Sequence, residues 1–390
     1  MRELGRVFSN EWLKLVRRKR LWITTIIGLL VICLFGLNEY QTHKDIKFSD
    51  PTYQLQNIEG QVQSIKAEMK STTDEAARKG DNAQLQSLKS EQKSLQAQIA
   101  QNKTLQTGNW KPIVQNELKQ QTQAYQQAVK AAKANHTPPP MGKEAILDAA
   151  YQLQHNVRPF TPWQPSPFTE VSQFLSTALR LFVPLMVVIL VADMISGEAT
   201  SGTIKLLLIR PVPRWKIFCG KWAVSIFATV LLTFLMYAAL FLVSGLFFGF
   251  HGGQQPTLVG TQYQTMALPG QSGGTELAPD YTHTTAISQI RFLGSSCLLA
   301  MLAMCVIATI TLFFSSLLTS AMASTAASLG IVILGFIITT MSIHTAWLKL
   351  FFAIHLDPGD LWSGAVSSDL GSHLGLQFGI VTLLVWGIVA

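Results

Sequence analysis

Apolar and polar positions alternate along this chain in long blocks rather than short periods. Six apolar runs stand out, at residues 21–37, 173–195, 222–250, 293–318, 322–343 and 376–390. A helix needs about 20 apolar residues to cross the hydrocarbon core of a bilayer. The first five runs meet or approach that length, and the third has enough residues to span with tilt. The sixth is still apolar at Ala390, 15 residues in. That is short for a span, so the expectation is a chain cut inside its last helix. The fold class expected is an all-α polytopic membrane protein with six transmembrane helices.

The polar blocks differ from one another. Residues 38–172 form a large insert between the first two spans, rich in Gln, Lys, Ser and Ala. Its apolar positions keep heptad spacing: Ile58, Val62, Ile65 and Met69, then Leu85, Leu88, Leu95 and Ile99, then Leu118, Thr122, Tyr125, Val129 and Ala132. Such stripes bring every apolar side chain to one seam of a helix. Gly80 and Gly108 punctuate the first and second runs. The reading is an external antiparallel helical hairpin or coiled coil with a third helix, broken at His136–Pro140 and followed by a short helix over 143–157. Heptads show packing but not what is packed, so a solvated spacer and a binding platform both fit. Residues 251–291 are Gly-rich and polar, an external loop or hairpin. Residues 344–375 are apolar in part but too short to span, which predicts a re-entrant or interfacial helix.

Composition sharpens the class. Hydrophobic residues make up 48% and charged residues 13%, against about 25% charged in a soluble domain. A collagen, a fully disordered chain and a disulfide scaffold are excluded. The net charge is +8. Residues 1–20 hold seven basic and two acidic residues, and residues 196–221 hold five and one. The surplus therefore flanks apolar runs, which is the positive-inside pattern and not a nucleic-acid surface. Arg17, Arg18, Lys19 and Arg20 place the N-terminus in the cytoplasm. Alternation of the spans then puts 196–221 on the same side, in agreement with its own basic residues. No small-residue cleavage site follows the first run, so it reads as an uncleaved signal anchor. Cys33, Cys219, Cys297 and Cys305 form neither a disulfide framework nor a zinc pattern.

Chemistry-bearing motifs are few. Gly197 and Gly202 have the spacing of a phosphate-binding loop, but Thr203 stands where its lysine must be, and a membrane span precedes it. The chain shows no means of hydrolysing ATP itself, and no cofactor or metal is expected on it. His355, Asp357 and Asp360 lie close in sequence, and a helix stop at Asp357-Pro358-Gly359 explains them without a metal. Arg180 sits in the second span, either snorkelling to the interface or touching an anionic substrate group or a partner subunit. Asp193 ends the same span, about 220° away around the helix, so the two cannot pair within it. Pro184 between them predicts a kink.

Two basic amphipathic segments remain. In residues 1–20, Leu4, Phe8, Trp12 and Leu15 line one face, with Arg6, Lys14 and Arg17 around the other. In 196–221, Thr203 can cap a short helix over 204–209, which Pro211 and Pro213 end. A lone helix this short is marginal in water, so it docks, either on the membrane interface or in a groove of a soluble partner.

At these residues the sequence resembles the permease subunits of ABC transporters of the type-2 exporter class. The resemblance is carried by Asn10-Glu11-Trp12-Leu13-Lys14-Leu15 with Arg17-Arg18-Lys19, and by Gly197-Glu198, Gly202-Thr203-Ile204-Lys205, Arg210-Pro211-Val212-Pro213-Arg214 and Gly220-Lys221. It covers roughly residues 1–37 and 173–390, and the insert inherits nothing from it. The resemblance implies an elbow helix over 1–20 with Phe8, Glu11, Trp12 and Lys14. It implies a coupling segment with Glu198, Gly202, Thr203, Lys205, Leu208, Arg210 and Arg214 seated on a separate ABC ATP-binding subunit. It further implies two copies of that subunit, which would bind ATP and Mg, and a second permease chain in a homo- or heterodimer. The setting implied is a bacterial plasma membrane, with export of a drug, peptide, lipid or polysaccharide. The alternative from another class is a membrane sensor or scaffold whose external coiled coil binds a ligand.

Overall fold

A computed structural model of the chain describes residues 2–71, 75–161, 164–203, 213–267, 275–341 and 345–390. The amphipathic start forms α1 (Arg2–Val16), and a sharp corner at Arg17 and Arg18 leads into α2 (Lys19–Ser49). The apolar run ends at residue 37, but α2 continues to Ser49. Nothing between residues 38 and 49 breaks a helix. The stop comes at Asp50, held extended (φ −63°, ψ 123°) ahead of Pro51, as a residue before proline must be.

The insert folds on its own seams. α3 (Pro51–Ser71) packs on α4 (Glu75–Thr107), burying Ile58, Val62 and Ile65 against Leu85, Leu88 and Leu95. Gln92 donates to Glu59 across the pair (3.4 Å). Gly108 follows the end of α4, whereas Gly80 lies inside it and breaks nothing, because one glycine in a 33-residue helix costs only about 1 kcal/mol. α5 (Lys111–Asn135) and α6 (Lys143–His155) share a smaller core of Trp110, Val114 and Ala149. His136, in the left-handed region (φ 54°), ends α5 ahead of the prolines.

The second apolar run splits into α7 (Pro167–Arg180) and α8 (Phe182–Val191). The break at Leu181 lies three residues before Pro184. A proline has no N–H for the carbonyl four residues back, here that of Arg180, so the helix parts where that bond is missing. α9 (Ser196–Thr200) extends the path of α8. α10 (Arg214–Phe248) begins eight residues before the apolar run at 222, so the last part of the 196–221 segment is already helix. α11 (Gln289–Leu317) and α12 (Ala321–Met341) follow. Among the described residues, five helical stretches are long and apolar enough to cross a membrane: Lys19–Ser49, Phe182–Thr200, Arg214–Phe248, Gln289–Leu317 and Ala321–Met341. The sixth apolar run forms α15 (Leu376–Val389), with 14 residues. The short helix expected over 204–209 lies outside the described residues.

α8 is the hub. Val183, Met186, Val187 and Val188 are almost fully buried against Ala303, Met304 and Ile307 of α11, Val31 and Phe35 of α2, and Val224 and Leu240 of α10.

At the end of the bundle that bears the insert, the 251–291 connection is a two-tier hairpin. β1 (Pro256–Val259) pairs antiparallel with β4 (Thr285–Ser288), and β2 (Gln262–Ala267) pairs with β3 (Thr275–Asp280). Tyr281 donates to Glu144 of α6 (2.5 Å), which ties the insert to the hairpin. Residues 344–375 are not one helix. They form two 3-10 turns, Ala346–Leu350 and Phe352–His355, then α13 (Pro358–Ser363) and α14 (Ala365–Leu370). Phe352 and Leu356 enter the main core, while Trp347 and Leu350 stay exposed. The expected helix stop at Asp357 is a helix start. Its carboxylate accepts from the N–H groups of Gly359 (3.0 Å) and Asp360 (3.2 Å) and caps α13.

Candidate functional site

The densest charge cluster lies at the opposite end, where α1, the start of α2, the loop after α8 and the start of α10 meet. Lys221 of α10 is 3% exposed, Glu11 of α1 4% and Glu198 of α9 6%. Charges buried this deeply persist only when paired. The Nζ of Lys221 lies 2.8 Å from Glu11 Oε2 and 2.9 Å from Glu198 Oε1, and it donates to the Met194 carbonyl (3.0 Å). Lys14 closes the ring from the open side, 2.6 Å from Glu11 Oε1 and 3.0 Å from Glu198 Oε1. Two lysines and two glutamates thus join three elements with no net charge. Burial pushes the Glu11 carboxyl up, but Lys221 and Lys14 beside it more than reverse this and hold it below the usual range. Burial lowers Lys14, and its bonds to Glu11 and Glu198 raise it beyond compensation.

A second set sits beside the first. Asp193, at the end of α8, meets Arg18 (2.9 Å) and Arg20 (3.3 Å) of α2. Arg18 also donates to the Asp193 carbonyl, and Arg20 to Thr325 of α12 (2.9 Å). The loop itself is seated by hydroxyls. Ser315 accepts from the N–H groups of Ile195 and Ser196, and Ser324 donates to the Ala192 carbonyl. Thr200 donates to the Thr319 carbonyl and accepts from the Ala321 N–H. α1 lies against α10 through Phe8 and Trp12, whose rings stand edge-on to Phe227. Gly220 leaves no room for a side chain where Val7 packs.

The residues expected to act together are distributed as follows. Phe8, Glu11, Trp12 and Lys14 all face the junction. Lys14, expected on the polar outer face of α1, instead turns toward Glu198. Glu198 points inward, while Gly202 (φ 71°) and Thr203 stand exposed at the end of the loop. Arg214 opens α10 on the exposed side. Lys205, Leu208 and Arg210 lie outside the described residues. Arg180 is far from this cluster. It pairs with Asp360 (2.6 Å) and approaches Asp357 (4.0 Å) within the same chain. Sequence reasoning missed Asp193 as the partner of Arg18 and Arg20, and Lys221 as a buried ion. The signal was present: a lone carboxylate within a basic segment, as Glu198 is in 196–221, marks a pairing. Among the described residues, no three His, Cys, Asp or Glu side chains gather as a metal set.

The span arrangement agrees with the sequence comparisons. The family model described as "ABC-2 family transporter protein" matches residues 6–359, from within α1 to the start of α13. The chain belongs to the ABC-2 transporter family. It is a multi-pass membrane protein. It is also similar to "Uncharacterized protein YhcI" of Bacillus subtilis (strain 168), 30% identical over 113 residues. That stretch is 28% of this ABC-2 chain and spans about a third (34%) of the relative. No solved structure matches it.

Proposed function

We propose that this chain is the permease subunit of an ATP-driven exporter, and that the loop after α8 couples it to the separate ATP-binding subunit. One observation carries the reading: the loop is fixed to α1 and α10 by the buried Glu11–Lys14–Glu198–Lys221 ring. A force applied to that loop therefore moves two other elements with it. Gly202, Thr203, Lys205, Leu208, Arg210 and Arg214 form the contact with the partner, and Glu198 anchors the contact from behind. ATP and Mg bind the partner, present in two copies, and a second permease chain completes the pathway. The junction faces the cytoplasm of a bacterial plasma membrane, and substrate leaves on the side of the insert. The substrate is a drug, peptide, lipid or polysaccharide.

The test is purification of the full chain from its native membrane with whatever accompanies it, followed by an ATPase assay. A stoichiometric ATP-binding subunit with vanadate-sensitive activity is expected. In that complex, Lys205→Ala should leave the ATPase running while transport falls at least tenfold. A chain that purifies without an ATPase, or a Lys205→Ala variant that transports normally, overturns the assignment.

A further inference from the structure

The charge arithmetic around the junction does not close. The Glu11–Lys14–Glu198–Lys221 ring is neutral. Asp193 offsets only one of Arg18 and Arg20. Arg17 and Lys19, both exposed, enter no ion pair or side-chain hydrogen bond among the described residues. A cleft of about 690 Å³ opens here, lined by Lys14, Arg17, Arg18, Lys19, Arg20, Asp193, Gly197, Glu198, Ser201 and Thr203. Its lining holds five cations and two carboxylates, a surplus of three positive charges. The hydroxyls of Ser201 and Thr203 donate within the loop, to the Gly197 and Glu198 carbonyls, and leave an incoming anion to the cations. A concave site with this surplus selects an anion with several acceptor oxygens, and a phosphate fits that chemistry.

The surroundings decide what carries the phosphate. Lys19 shares one face of α2 with Trp22, Ile23, Ile26 and Leu30, at the spacing of successive helical turns. Those four are 64%, 48%, 56% and 59% exposed, an uninterrupted apolar stripe on a helix long enough to cross a bilayer. The cleft therefore opens at the head of a lipid-facing surface. On a helix that crosses the bilayer the stripe faces acyl chains, so the phosphates next to the cleft are those of the lipids beside it. A phospholipid uses both cleft and stripe, with its phosphate among Arg17, Lys19 and Arg18 and its acyl chain along the stripe. We propose that this cleft binds the headgroup of an anionic phospholipid and so clamps the α1–α2 corner to the membrane surface.

The full chain, solubilised gently from vesicles of phosphatidylglycerol and phosphatidylcholine in equal parts, would be analysed by native mass spectrometry for retained lipid. Retained phosphatidylglycerol should exceed phosphatidylcholine. Neutralising two surface cations should weaken that retention roughly 30-fold in Arg17→Gln/Lys19→Gln. The charge-conserving Arg17→Lys/Lys19→Arg and the distant Lys44→Gln/Lys47→Gln should retain lipid as the wild type does. Neither Arg17 nor Lys19 holds another side chain in place, so the first variant should elute as a folded species, and the comparison is made on that fraction. Added inorganic phosphate should not displace the lipid. Equal retention of the two lipids, no effect of Arg17→Gln/Lys19→Gln, or displacement by millimolar phosphate overturns the proposal. The experiment needs no ATPase, so its outcome is independent of the coupling assignment.

Discussion

Lys14 and Lys221 contact the same two glutamates, yet they should not contribute alike. The Lys14 side chain is 44% exposed and that of Lys221 is 4% exposed. Removing Lys221 leaves two buried carboxylates sharing the one half-exposed Lys14, a net buried negative charge, and breaking a buried pair in this way costs about 3–5 kcal/mol. Removing Lys14 deletes a solvent-screened pair worth about 1 kcal/mol or less. Lys221→Ala should therefore lower the thermal midpoint of the detergent-solubilised chain far more than Lys14→Ala. Equal shifts would show that the ring is not a buried unit. At this scale the sequence was only half legible. The amphipathic face of α1 could be read from spacing, because Phe8, Trp12 and Leu15 recur at helical intervals. The inward turn of Lys14 could not, since it depends on where Glu198 arrives from 184 positions away.

Elements were easier to read where one seam does the packing. The stripes at Ile58, Val62 and Ile65 and at Leu85, Leu88 and Leu95 are the ones that meet, because each helix can bury only one face. The two-tier hairpin was harder, since its strands alternate weakly and it is held by contacts with α13 and α14, such as Gly260 N–H to the Trp362 carbonyl (2.7 Å) and Tyr263 N–H to the Ser367 hydroxyl (2.8 Å). α3 and α4 have a core of their own, whereas Trp110 and Val114 pack on α6. Deleting residues 51–107 should thus leave the rest of the chain monodisperse on size exclusion, and aggregation would refute a separate module. The α5–α6 pair also carries a pH dependence. Burial first, and Glu144 beside it, push the Asp148 carboxyl up to about 6 from an ordinary 3.8. The folded state then holds this proton more tightly than the unfolded chain, so stability is gained as pH falls through 6 toward 4 and lost as it rises. Protease resistance of the insert should be higher at pH 5 than at pH 7.5, and Asp148→Asn should flatten the difference.

For the molecule as a whole, hydropathy was enough to find five helices long enough to cross among the described residues, and the sixth run forms a helix of only 14 residues. Hydropathy could not rank them. α8 is buried on nearly every face, while the equally apolar crossing stretches of α2 and α12 keep wide exposed stripes, and only packing distinguishes these positions. The family match extends through the insert and hairpin to residue 359, so one match covers the helical bundle and the segments between its spans. The Arg180–Asp360 pair joins the kinked second span to the short helices ahead of α15, at the end of the bundle away from the charge ring.

The uninterrupted run of α2 has a mechanical meaning. Its 31 residues make a rod about 46 Å long at 1.5 Å per residue, against about 30 Å of hydrocarbon. One end is gripped by Asp193 through Arg18 and Arg20, and the other carries α3. Such a rod is a lever with its short handle in the ionic junction. Rocking it by about 10° swings the far end by roughly 8 Å, so a small displacement of the loop after α8 reaches the insert as a large one.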